Sequence, residues 1–171
     1  MKKLLFFLAI TEFIIALTIH IVSALGIDIA DKMPPLGVVF ASFFVLLIPI
    51  ILIGVKNKKV EMLQQSAMQN NMNSSTSFKM LIKDIPAWLK TTVKISGFYT
   101  TINFILLFLL PLGSFDFKDG QRLLVDHGTV LAIMTEHEYH QYRAALVRVL
   151  SGCFMGLYAH CAAILFVFSK A

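Results

Sequence analysis

Charge is scarce in this chain. Asp, Glu, Lys and Arg make up 15% of its 171 residues, whereas 57% are hydrophobic and the mean hydropathy is +0.77. Soluble domains carry about a quarter charged residues, so this balance excludes an ordinary soluble domain and points to a membrane protein. Acid is scarcer still, ten residues against fifteen Lys and Arg, for a net charge of +5. A basic excess can signal nucleic acid. Here, however, the lysines cluster at 2–3, 56–59 and 79–94, each beside a long apolar run, where basic residues set membrane orientation. Nucleic acid is therefore not an expected partner. The only cysteines, Cys153 and Cys161, lie in one apolar helical run. At about 1.5 Å rise per residue they stand roughly 12 Å apart, beyond disulfide reach. A quinone-linked thiol oxidoreductase needs cysteine pairs near water, and there are none. Also missing are a GxSxG, a Gly-rich phosphate loop and any internal repeat. Cys161 adjoins His160, but neighbours on a helix point about 100° apart, so they form no catalytic dyad.

What is present is four long apolar runs, at 4–25, 36–55, 94–112 and 144–168. Each reaches the roughly 20 residues that a bilayer requires. "MKK" before an apolar run also opens signal peptides, but the run is too long for a usual h-region and contains Glu12, so a retained span is expected. Ten lysines (Lys2, Lys3, Lys56, Lys58, Lys59, Lys79, Lys83, Lys90, Lys94, Lys170) fall on one side of this threading. Five basic residues (Lys32, Lys118, Arg122, Arg143, Arg148) fall on the other. The positive-inside rule then puts both termini and a 56–93 loop in the cytoplasm and segment 113–143 outside. The expected fold is an all-α membrane protein, a single domain over 1–171 built as a four-transmembrane-helix bundle. Both termini are cytoplasmic, and a small extracytoplasmic β-hairpin precedes a long fourth helix. Helices satisfy every backbone group internally, as lipid demands.

The loop opens with "KNKKVEMLQQSAMQ", which favours a helical continuation of the second span. "NNMNSSTS" then reads as a linker, and "FKMLIKDIPAWLKTTVK" as an amphipathic stretch at the inner headgroup layer. Outside, Asp119-Gly120 sits between two β-favouring runs, the signal for a hairpin. "DHG" at 126–128 marks a second turn, and "TVLAIM" fits a third strand. Thr135 precedes Glu138 in capping-box spacing, which predicts a helix start near Glu136 that continues into the last span.

Ionisable groups inside lipid cost about 2.5–3.5 kcal/mol on insertion scales and normally face the bundle interior. Counted from the cytoplasmic side, Glu12, Asn103 and His160 lie at similar depth, with Tyr99 and Thr100 slightly shallower. Ser96, Thr100 and Asn103 share one face of the third span at i, i+4, i+7. Gly152, Gly156, Ala159 and Ala163 form a small-residue stripe on the fourth, suited to close helix packing. The expected intramembrane polar cluster is Glu12, Tyr99, Thr100, Asn103 and His160. It is either a structural tie or a proton- or cation-linked site in which Glu12 changes charge. In placing a carboxylate in the first of four spans the chain is similar to small proton-coupled exporters. His20 and His160 lie at depths well over 10 Å apart in this threading, so they do not bracket one haem, and no cofactor is expected. Pro49 removes a helical hydrogen bond and should kink the second span.

"TEHEYHQYR" sets His137 and His140 three apart with Glu136 four before His140, a helical face able to capture a metal. "HEYH" is one residue short of the HExxH spacing, so the likeness to zincins is superficial. These features rank an interaction protein first: a small subunit, assembly or immunity-type factor, with the lipid bilayer and another membrane protein or a second copy as partners. In span count and length the chain is similar to bacterial pore-forming-toxin immunity proteins. A carrier using Glu12 ranks second, and a membrane metalloenzyme with the outer His/Glu site third. The expected location is the cell (inner) membrane.

Overall fold

A computed structural model describes residues 2–30, 36–55, 61, 83, 85–109, 113–118 and 120–170. The described residues form four helices and one small sheet: α1 (Lys2–Ala24), α2 (Leu36–Val55), α3 (Ala87–Leu109), β1 (Ser114–Lys118), β2 (Gln121–Asp126), β3 (Thr129–Met134) and α4 (Glu136–Lys170). Three of the helices, α1, α3 and α4, are long and apolar enough to cross a membrane. In α2 the side chains described form the shorter apolar stretch Ala41–Val55, which runs through Pro49 without a break.

Helix α4 is the axis of the molecule. Of its most apolar stretch 67% is buried, against 22% in α1 and 11% in α3, because the other three helices all pack on it. A helix that is apolar all round is a helix surrounded. Contacts fix the directions. Phe6 meets the Phe166 ring at 5.9 Å, and His20 meets the main chain of Arg148, so α1 runs antiparallel to α4. Gly97 lies against His160 and Gly152 against Asn103, so α3 is antiparallel to α4 as well. Ser42 bonds Tyr158 and Gly54 abuts Phe168, so α2 runs parallel to it. On α1 the residues at the seam are Ala9, Ala16 and Ser23, one every seven positions, all nearly inaccessible. Small side chains at that spacing let two backbones approach closely, which is how helices gain van der Waals contact where lipid offers no hydrophobic drive. Large apolar side chains face outward instead, among them Phe7, Ile14, Ile48, Leu52, Phe98 and Phe108. That surface suits lipid and not water.

The third helix starts earlier than the sequence suggests, at Ala87 in place of about Lys94. Pro86 needs no hydrogen-bond acceptor and its fixed φ suits a first turn. Its carbonyl accepts from the Lys90 N–H at 3.0 Å. Residues 87–93, expected in the cytoplasmic loop, are therefore helix. The expected continuation at 56–69, the linker at 70–77 and the end of the span at 110–112 lie outside the described residues, Glu61 excepted.

The segment expected outside is a three-stranded antiparallel meander, β1-β2-β3, one strand more than a hairpin. Lys118 pairs with Gln121 across a turn whose Gly120 has φ +77. Asp126 pairs with Thr129 across His127 and Gly128, both at positive φ, the two-residue geometry that matches strand twist. Thr135 then caps α4 as its spacing predicts. The Thr135 N–H donates to Glu138 Oε2 at 2.8 Å, and the Glu138 N–H donates back to Thr135 Oγ1 at 3.3 Å. From there α4 runs unbroken for 35 residues.

Candidate functional site

Several polar residues of the apolar helices converge where α1, α3 and α4 meet. His20, 8% exposed, reaches across from α1. Its Nδ1 lies 2.9 Å from the Arg148 carbonyl, and its Nε2 lies 2.8 Å from the Tyr99 hydroxyl. A carbonyl only accepts, so Nδ1 carries the proton and donates, and Nε2 accepts from Tyr99. Ser151 Oγ stands 3.3 Å from the same Nδ1 and donates to the Arg148 carbonyl at 3.0 Å. One imidazole thus joins three helices. A turn away, Thr100 Oγ1 donates to the carbonyls of Gly152 (3.1 Å) and Cys153 (3.4 Å). Asn103, 2% exposed, donates from Nδ2 to the Tyr99 carbonyl at 2.8 Å.

Glycines make this approach possible. A Cβ on Gly152 would stand 2.6 Å from the Asn103 side chain, and one on Gly156 would overlap the Thr100 hydroxyl. Ala159 and Ala163, which complete the stripe, are buried at 2% and 6%.

Of the five residues expected to cluster, the structure brings Tyr99, Thr100 and Asn103 together and sets the other two apart. His160 lies one to two turns further along α4, where its ring lies against Gly97 of α3 and its Nδ1 donates to the Gly156 carbonyl at 2.7 Å. It is exposed. Glu12 is half-buried on the α1 seam between Ala9 and Ala16. It lies close enough to Tyr158 for its charge to act on the phenol, whose hydroxyl is bonded to Ser42 at 2.8 Å. Among the described residues the Glu12 carboxylate has no ion pair and no hydrogen bond. Glu12 lies at the level of Tyr158, near His160 as the sequence suggested, but Asn103 faces Gly152 about two turns away.

A second polar set holds the sheet to the bundle. Asp28, whose side chain is 8% exposed, lies 3.2 Å from Arg143 Nε and 2.8 Å from His140 Nδ1. Its other oxygen accepts from the Ala30 N–H at 3.0 Å. Arg122 of β2 bonds Glu136 at 3.0 Å and lies over the Tyr139 ring at 4.6 Å. Phe115 of β1 packs edge-on against Tyr139 and Tyr142, at 4.9 and 5.6 Å. This is where the expected metal ligands sit. His140 is engaged by Asp28 and Glu136 by Arg122, Glu136 and His140 standing 3.8 Å apart, while His137 is exposed. No three His, Cys, Asp or Glu side chains gather as a ligand set among the described residues. Outside the apolar stretch, Glu138 has its carboxyl pushed below the ordinary range, chiefly by the Thr135 N–H and then by the Thr135 hydroxyl.

Against known proteins the chain matches no family model, no curated protein and no solved structure.

Proposed function

We propose that this is a four-span inner-membrane protein with both termini in the cytoplasm that works by contact with another membrane protein, as a subunit, assembly or immunity-type factor. The observation that carries the reading is the outer sheet. Phe117, Val130, Leu131 and Ile133 are 67%, 50%, 47% and 62% exposed, on strands beyond the ends of the apolar helices. The edge strand β3 carries no charge and no proline to discourage pairing. Apolar side chains held outward on an anchored sheet are what a partner-binding surface requires. The alternating directions of the four helices and the lysine excess at the terminal end support the threading.

A carrier is the second reading, favoured by the half-buried Glu12 without an ion pair among the described residues. The two separate experimentally. Affinity purification in mild detergent should recover a stoichiometric partner, or a second copy, that Phe117→Asp with Ile133→Asp releases while helicity is unchanged. If the sheet variant retains every partner and Glu12→Gln alone abolishes the cellular phenotype at normal expression, the carrier reading replaces this one.

A further inference from the structure

Helices α1 and α3 meet where His20 reaches Tyr99. Toward the end of the bundle that holds the chain termini they stand apart, leaving a cleft of about 380 Å³. Ala159 of α4 forms its floor, Phe6, Ile10 and Phe13 one wall, and Trp88 and Thr92 the other. A lining with a single hydroxyl offers water almost no partners, so the cleft suits a hydrocarbon chain. The rim has the opposite character. Among the described residues at that end, Lys2 and Lys3 open α1, and Lys83, Lys90 and Lys94 lie just before and along the first turns of α3. Lys3 lies one turn beyond Phe6 and Phe7 on the α1 face that lines the cleft. Lys90 follows Trp88 in the first turns of α3. Trp88 itself has the amphipathic ring that settles at headgroup depth.

We propose that this cleft is a binding site for an acyl chain of an anionic phospholipid, with the lipid phosphate among the lysines at that end. The apolar walls select a chain, and the lysine excess selects the sign of the headgroup. The site depends on membrane residence but not on any protein partner, so loss of partner binding leaves it untouched.

Trp88 is the only tryptophan and lines the cleft, which makes the test direct. The full chain is placed in phosphatidylcholine vesicles containing, as a minor guest, either phosphatidylglycerol or phosphatidylcholine with brominated acyl chains. Brominated phosphatidylglycerol should quench Trp88 severalfold more than the zwitterionic guest at equal mole fraction, and the excess should shrink with salt. Lys3→Gln should weaken the anionic preference about fivefold. Ala159→Leu, which fills the floor, should remove the excess. If that variant fails to fold, displacement of the quencher by unlabelled phosphatidylglycerol still decides. Equal quenching by the two guests overturns the proposal, and so does an excess that survives both the filled cleft and the unlabelled competitor.

Discussion

Substitution of Gly156 by alanine tests the α3–α4 contact at its closest point. The added Cβ would overlap the Thr100 hydroxyl, stand 2.8 Å from the Thr100 Cβ and 3.0 Å from the Ser96 carbonyl. Carbon atoms rest at about 3.5–4.0 Å, so the two helices must part by several tenths of an ångström, or Thr100 must turn. Turning is unfavourable. A β-branched side chain in a helix has few rotamers, and this one would give up its bonds to Gly152 and Cys153. Overpacking costs about 1–3 kcal/mol and the lost hydrogen bonding about 0.5–1.5 kcal/mol. The better helix propensity of alanine returns about 1 kcal/mol. The net expectation is a loss of about 0.5–3.5 kcal/mol by the same ranges. Gly152→Ala should also destabilise, because its added Cβ stands 2.6 Å from the buried Asn103 side chain, which must shift and strain its bond to the Tyr99 carbonyl. Equilibrium unfolding in mixed micelles, followed by helicity and Trp88 fluorescence, measures both. Thr100→Ala added to Gly156→Ala should recover part of the loss. A Gly156→Ala protein as stable as the parent refutes the close packing described here.

Four further substitutions probe the polar ties. Tyr99→Phe leaves His20 Nε2 without its donor and should cost about 1–3 kcal/mol. A double-mutant cycle with His20→Ala should return a coupling of about 0.6–1.7 kcal/mol, and a coupling of zero would show that the 2.8 Å contact contributes nothing. Asp28→Ala removes the carboxylate beside Arg143, whose side chain is 11% exposed, and the loss of that charged hydrogen bond should cost about 1.5–3 kcal/mol in the same unfolding assay; a change below a few tenths shows that the ion pair adds nothing to stability. Glu138 has a carboxyl pKa lowered from 4.5. Its contribution to the α4 cap is therefore complete above about that pH and is lost as pH falls through the lower folded value. The Thr135 amide proton resonance should titrate with a midpoint below 4.5 and flatten in Glu138→Gln, and a midpoint at or above 4.5 contradicts the cap.

The helices were legible because length and hydropathy are one-dimensional properties. The α4 start was legible because Thr135 and Glu138 cap through local hydrogen bonds, and the turns because Asp-Gly and His-Gly pairs accept positive φ. The membership of the buried polar cluster was not. Placing the start of the third span at Lys94 made Tyr99 look shallow, when it is the thirteenth residue of a helix from Ala87 and level with His20. The stripe of Ala9, Ala16 and Ser23 does mark the packed face of α1, and His20 lies on it; that was the available signal. Nothing in the sequence says that Arg148 contributes its carbonyl while its side chain stays exposed. A main-chain acceptor has no residue type.

The two polar sets act at different levels on one helix. His20, Tyr99 and Ser151 hold α1 and α3 to the middle of α4, while Asp28, Arg122 and Phe115 hold a loop and a sheet to its first turns. Because α4 is continuous, the sheet is carried on a helix fixed inside the bundle and not on a hinge. A surface whose orientation is set in advance loses less entropy when a partner docks. It follows that Asp28→Ala, which touches none of Phe117, Val130, Leu131 or Ile133, should weaken partner recovery in mild detergent together with Phe117→Asp. Undiminished recovery from Asp28→Ala would mean that the sheet binds without the anchor, and that the ion pairs beneath it serve stability alone.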